Sequence, residues 1–185
     1  METKKEIRTR LLRRRKELPV EERKRMSDEI RKRILRHPWF LEATSIYFYV
    51  SYLEEVDTRE LLKEAIHMGK KVAVPKVHGR EMDFYYIENF EELHPGMKGI
   101  PEPEGAKTHL ASDESALILM PLVGFDAMRN RIGYGGGYYD RYLKKHPSHP
   151  TVGLAYSIQE VEELPIEETD RKPDRIITEE KEVKA

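Results

Sequence analysis

The chain has 185 residues, 38% hydrophobic and 36% charged, with a formal net charge of −1 and no cysteine. That length suits one domain with a single core. The balance of charges argues against a disordered polyelectrolyte, and the lack of cysteine excludes disulfides, zinc–thiolate sites and thiol catalysis. The opening stretch "METKKEIRTRLLRRRKEL" is too charged for a signal peptide, and no apolar run approaches the roughly 20 residues of a membrane-spanning helix. A soluble, cytoplasmic protein is expected. The charge is divided unevenly: residues 1–36 hold 15 Lys/Arg against 7 Asp/Glu, and the remainder holds 18 against 27. A basic segment on an acidic body points to an anionic ligand or to an intramolecular clamp.

Residues 3–17 read as a helix ended by Pro19, with Ile7, Leu11 and Leu18 on one apolar stripe. Lys4, Arg8 and Arg15 fall within about 40° of one another beside that stripe, so the helix can dock by its apolar edge and offer a row of cations. A second helix is expected from about residue 21 to residue 36, stopped by "HPW". Both are polar enough to pack across the outside. "TSIYFYVS" (44–51) is β-branched and aromatic and reads as a buried strand. The helix "DTRELLKEAIHMGK" follows, with Asp57 and Glu60 at capping-box spacing and Gly69 as its stop. "KVAVPKV" and "EMDFYYIE" are the next two strands. "MKGIPEPEGAKTH" is a surface loop. "SALILMPLVGF" is the most apolar run and is expected as the central strand. "YYDRYLKKH" is a helix, and "TVGLAYS" and "RIITE" are the fifth and sixth strands. The alternation implies a single-domain α/β fold over residues 1–185, with a basic helical segment at 1–36 and a largely parallel sheet flanked by helices on both faces.

Four of the five residues from 133 to 137 are glycine, directly after the central strand and before a helix. Ligands of open α/β sheets bind beyond the carboxyl ends of the strands. There, Gly133, Gly135, Gly136 and Gly137 let backbone N–H groups approach an anion, the helix N-terminus adds partial positive charge, and Arg129 and Arg131 can fork onto phosphate oxygens. A tight turn is the alternative use of these glycines. The loop is neither a Walker A, lacking Gly-Lys-Ser/Thr, nor a dinucleotide fingerprint, having Tyr138 where the last glycine belongs. Asp140 is either a first-turn acid that suits the helix dipole or a carboxylate for Mg²⁺ beside bound phosphates. Asp170 and Asp174 could join it or be solvated loop acids. Glu55, just past the first strand, could bond a polar heterocycle or be a surface acid. Tyr134, Tyr138 and Tyr139 could stack on a ring, although Tyr139 with Leu143 also has core spacing. The seven histidines form no metal pattern.

Nearly end to end, the chain resembles the 5-formyltetrahydrofolate cyclo-ligase family. The segments that carry the likeness are "KKEIR", "YVSYLEEVDT", "GIPEP", "LPIEETDRKPD" and, most specifically, "MPLVGFDAMRNRIGYGGGYYDRYL". The resemblance implies a sandwich similar to the ribose-phosphate isomerase and CoA-transferase fold. It implies conversion of 5-formyltetrahydrofolate and ATP to 5,10-methenyltetrahydrofolate, ADP and phosphate, with Mg²⁺. By position, Lys4, Lys5, Glu6, Ile7 and Arg8 would meet ATP. Arg131, Ile132, Gly133, Tyr134, Gly135, Gly136, Gly137, Tyr138 and Tyr139 would form the nucleotide loop. Val50 and Glu55 would contact the folate, Asp140 and Asp170 would hold Mg²⁺, and Arg8 and Arg131 would serve catalysis. Arg129 departs from the family pattern, which has a small residue there. Phosphorylating the formyl oxygen would make it a leaving group for attack by N10, a task of positioning and charge neutralisation more than of acid–base chemistry. A monomer is expected, with no nucleic-acid or membrane partner. A phosphosugar isomerase on the same fold would need no ATP, and a nucleic-acid binder using the basic segment would show steep salt dependence.

Overall fold

The computed structural model describes residues 2–185. Helix α1 (Lys4–Glu17) starts at a capping box: the Thr3 hydroxyl accepts from Glu6 N–H, and the Glu6 carboxylate accepts from Thr3 N–H at 2.7 Å. Its buried residues are Ile7, Leu11 and Arg15. Leu18 leaves the helical path and caps it instead of extending the stripe. Helix α2 (Val20–Arg36) begins right after Pro19. A short helix α3 (Pro38–Glu42), not foreseen, uses Pro38 at its first position and the His37 ring as its cap.

The main sheet contains strands β1 (Ser45–Tyr47), β2 (Lys71–His78), β3 (Glu81–Ile87), β4 (Leu117–Pro121), β5 (Thr151–Leu154), β6 (Arg175–Ile177) and β7 (Glu182–Val183). Their order is β7-β6-β5-β4-β1-β2-β3. The five inner strands are parallel, and antiparallel β3 and β7 close the two edges. The expected apolar run therefore does supply the central strand. It ends sooner than the hydrophobicity suggests: after Pro121 the chain leaves the sheet, and Gly124–Phe125 pairs with Arg131–Ile132 as a separate ribbon. The strand read over 44–51 is shorter too, because after Phe48 N–H bonds Ala73 the chain turns into a polar network. The short β7 was missed; two residues carry too little pattern to be seen.

Side chains of each strand alternate between the faces. Ile46, Val72, Leu117 and Val152 face Met26 and Ile30 of α2 and Leu62 of α4 (Arg59–His67) in one buried cluster. Tyr47, Ala73, Ile118 and Met120 face Tyr142 and Leu143 of α5 (Tyr138–Lys145) in another. The expected layers, helices on both faces of a largely parallel sheet, are present. Each fully buried aliphatic side chain stabilises this sandwich by roughly 1.5–3 kcal/mol. The expected capping box of α4 does not form: Asp57 accepts from Arg59 N–H and Ser51 Oγ instead. Gly69 does stop α4, at φ +79°, with Lys70 N–H returning to Ala65 O. Among the described residues no helix is long and apolar enough to cross a membrane.

Candidate active site

The order of strands locates the site. From β1 the chain moves through β2 to β3 on one side; from β4, β1's other neighbour, it moves through β5 and β6 to the opposite edge. The direction of winding reverses between β1 and β4, and ligands of open α/β sheets bind outside the carboxyl ends at such a point. The segment bearing Glu55 follows β1, and the glycine loop follows β4 by way of the ribbon.

Each segment is fixed by buried polar contacts. Asp126, 1% exposed, accepts from Met128 N–H and Asn130 N–H through Oδ1, and from Asn130 Nδ2 and Leu164 N–H through Oδ2. It folds residues 126–130 and ties them to the segment ahead of Asp170. Sequence reasoning passed over it; an aspartate followed by a turn and an asparagine four residues on is the available signal, although burial is not. Arg129 stands in this turn at φ +63°, in the left-handed region that costs a side-chain-bearing residue about 1–2 kcal/mol. Its Nε donates to Pro173 O, so it braces the turn and does not reach for phosphate. Beyond β1, the Tyr49 hydroxyl donates to Val56 O and Thr58 Oγ1 donates to Tyr49 O.

At the glycine loop, Arg8 Nε donates to Gly133 O at 2.7 Å. Its guanidinium carbon lies 3.5 Å from where a Cβ on Gly135 would stand. Gly135 and Gly137 have φ +99° and +68°, conformations that glycine adopts without strain. Gly137 is the N-cap of α5, whose first-turn N–H groups receive no side-chain cap. Arg131 is almost wholly buried, donating through Nη2 to Asp140 Oδ1 at 3.1 Å and through Nε to Arg171 O. Burial pushes its pKa down, opposed chiefly by Asp140. Asp140 Oδ1 also accepts from Arg171 N–H. Lys4 pairs with Asp170 at 2.5 Å and with Glu167 at 3.3 Å.

Lys4 and Arg8, one helical turn apart, thus both reach the loop and its acids, while Ile7 inserts into a small apolar seam with Leu11, Val123, Ile132 and Leu164. Lys5 and Glu6 point elsewhere: with Thr9, Arg10 and Arg13 they line the outer surface of α1. Asp174 is not part of this group, since it accepts from Thr151 N–H and Oγ1 and so joins β6 to β5. Tyr138 also turns away, donating to Gly79 O in the β2–β3 hairpin under the Arg141 guanidinium. Val50 is buried in the core cluster shared with α2 and α4.

A second group forms around Glu55. Burial raises its carboxyl to about 7, with Arg15, the Tyr52 N–H and the Tyr134 hydroxyl pulling the other way. Arg15 Nη2 donates to the Tyr134 hydroxyl at 2.6 Å. The Tyr139 hydroxyl, near enough to both Glu55 and Arg131 to feel their charges, is buried without a partner. One end of the site is therefore cationic and glycine-lined, the other carries a carboxylate among tyrosines, and Tyr139 lies between them. Arg15, read from the sequence only as one of a row of cations, belongs to the second end.

This is a single-domain α/β protein with an anion-cradling loop and a carboxylate-bearing pocket at the switch point of its sheet. The profile of the 5-formyltetrahydrofolate cyclo-ligase family matches residues 1–179, and the chain belongs to that family. A 5-formyltetrahydrofolate cyclo-ligase of Escherichia coli strain K12 is 30% identical over 171 residues, covering 89% of this chain and 94% of its own. A mouse cyclo-ligase is 29% identical over 191 residues, covering 94% and 92%. The solved structure of Aquifex aeolicus 5,10-methenyltetrahydrofolate synthetase superposes with a TM-score of 0.86 at 33% identity, over 98% of this chain and 92% of that one. The protein is an enzyme of this family.

Proposed function

We propose that the enzyme converts 5-formyltetrahydrofolate to 5,10-methenyltetrahydrofolate at the expense of ATP, with the triphosphate on the glycine loop and the folate ring beside Glu55. The observation that carries this reading is the meeting of Lys4, Arg8 and Arg131 at the glycine loop, with Glu55 and its tyrosines adjacent across the switch point. A formamide carbonyl is a weak electrophile and its oxygen a poor leaving group. Transfer of the γ-phosphoryl forms an O–P bond at the formyl oxygen and releases ADP. N10 then attacks the formyl carbon and loses its proton, and the C–O bond breaks as phosphate departs.

The chain's part is to align the γ-phosphoryl with the formyl oxygen and to offset charge as it moves. Lys4 and Arg8 bring cations from α1, and Arg131 brings a buried one from the loop. Ile7 and Ile132 seat the helix against the loop; the segment 4–8 thus contributes through Lys4 and Arg8, with Lys5 and Glu6 on its outer side. The Tyr139 hydroxyl can donate where the two substrates meet. Asp140 and Asp170 suit Mg²⁺: each carboxylate has one oxygen engaged by a cation and a backbone N–H, and its other oxygen remains for a metal. Among the described residues no three acids or histidines cluster into a metal site by themselves, which agrees with an ion that takes one or two carboxylates and completes its shell with phosphate oxygens and water. Mg²⁺ there would neutralise phosphate charge.

Calorimetric titration of ATP into wild type and Arg8→Ala tests the nucleotide site. Loss of a charged hydrogen-bonding group from a phosphate is worth about 1.5–3 kcal/mol, so the variant should bind about ten- to a hundredfold more weakly with its melting temperature little changed. Equal affinity of the two proteins for ATP would refute this placement.

A further inference from the structure

We propose that Arg15 is a positioning residue for the folate end of the site, holding the Glu55 side chain in place through the hydroxyl of Tyr134. The inference rests on the folate reading above and goes beyond the phosphate-binding residues of α1. Arg15 lies eleven residues after Lys4 on one helix, about 16 Å along its axis at 1.5 Å per residue. It therefore serves a different part of the substrates from Lys4 and Arg8. Its side chain is buried, 4% exposed. Nη2 reaches the Tyr134 hydroxyl at 2.6 Å, and the guanidinium stands over the Tyr134 ring at 5.7 Å. Because that hydroxyl accepts from Arg15, its own proton is directed to another acceptor, and the Glu55 carboxylate beside it is the charged one.

Stability does not account for this arrangement. Arg15 Nε is buried with no hydrogen-bond partner, and a buried guanidinium with an unmet donor weakens a fold relative to an apolar side chain of similar size. The helix already has its apolar anchors in Ile7 and Leu11. What Arg15 adds is a cation and a donor at the only point where α1 reaches the Glu55 group. The groups that face Glu55 are Arg15 from α1, Tyr134 from the glycine loop, Tyr139 from α5, and Tyr49 from the segment after β1.

The test is Arg15→Met in the full chain, with the KM for 5-formyltetrahydrofolate and for ATP measured from pH 5.5 to 9. The expected result is a folate KM raised about tenfold, as for loss of one charged hydrogen bond, with the ATP KM changed less than about twofold. Arg15 is one of the influences holding the Glu55 carboxyl down. The midpoint of the folate KM profile should therefore move upward by about one pH unit. The variant should melt no lower than wild type. A wild-type folate KM and an unmoved profile would overturn the proposal, as would equal losses for both substrates. Should Arg15→Met fail to fold, Tyr134→Phe breaks the same link while leaving α1 intact, and the same shift is required of it. Absence of turnover in the wild type would instead refute the underlying reading, before any variant is compared.

Discussion

Glu55 shows how a residue's place in the fold sets its chemistry. In the sequence it is one acid of a pair before a helix, as compatible with a solvated surface as with a binding site. The fold puts it behind β1 among Tyr49, Tyr134 and Tyr139, and burial lifts its carboxyl to about 7. The folded state therefore favours the protonated form more than the unfolded chain does. That preference stabilises the fold fully below the ordinary carboxylate range, and it is lost as pH rises from there through about 7. Glu55→Gln removes the ionisation. Its stability relative to wild type should thus climb between pH 4.5 and 7, reaching a gain on the order of 1–2 kcal/mol at pH 8 after allowance for partial solvation. Folate turnover should fall at the same time. Thermal melts of both proteins at pH 5 and pH 8 read this directly, and a stability difference independent of pH would contradict it. Arg129 carries a different lesson: its departure from the family pattern was visible, but its use as a brace at φ +63° between Asp126 and Pro173 needed the fold.

At the scale of elements, the seating of α1 connects packing to function. The helix lies against the Gly124–Phe125 ribbon, where a Cβ on Gly124 would stand 2.3 Å from Leu11 Cδ1. Leu11 is fully buried, so it has little room to yield. Gly124→Ala should push α1 outward and lift Lys4 and Arg8 from the loop together. Overpacking of this kind costs about 1–3 kcal/mol, and kcat/KM for ATP should fall more than stability alone explains. Kinetics indistinguishable from wild type would show that α1 need not sit this close. The elements themselves were largely legible: α1, α2, α4, α5 and six of the sheet strands follow from hydrophobic period and from the punctuation at Pro19, His37–Pro38 and Gly69. Strand ends were not. Apolar character continues through Leu122, Val123 and Phe125, yet these residues serve the ribbon and the seams beneath α1, and burial alone does not reveal which surface a residue is buried against. The capping box proposed for Asp57 and Glu60 failed because Asp57 is drawn into the Ser51–Thr58 network.

For the molecule as a whole, the division of charge becomes an internal clamp. The basic segment meets the acidic body through Lys4 with Asp170 and Glu167, and through Arg31 with Glu64. At the phosphate loop, Lys4 and Arg131 are balanced by acids that also suit a divalent ion. The glycine loop and its position after the central strand could be read from the sequence, as could the cations of α1. The separation of the site into a phosphate end and a carboxylate end could not, because it depends on β1 and β4 being neighbours at the point where the winding reverses. The central claim is that both ends act on one pair of substrates. It is tested most directly by mixing the purified protein with 5-formyltetrahydrofolate, ATP and Mg²⁺ and following the absorbance of the methenyl product. The account predicts product only when ATP, Mg²⁺ and the folate are all present, with ADP formed in equal amount. Product without ATP, or none from folded protein across a range of temperatures, would contradict it.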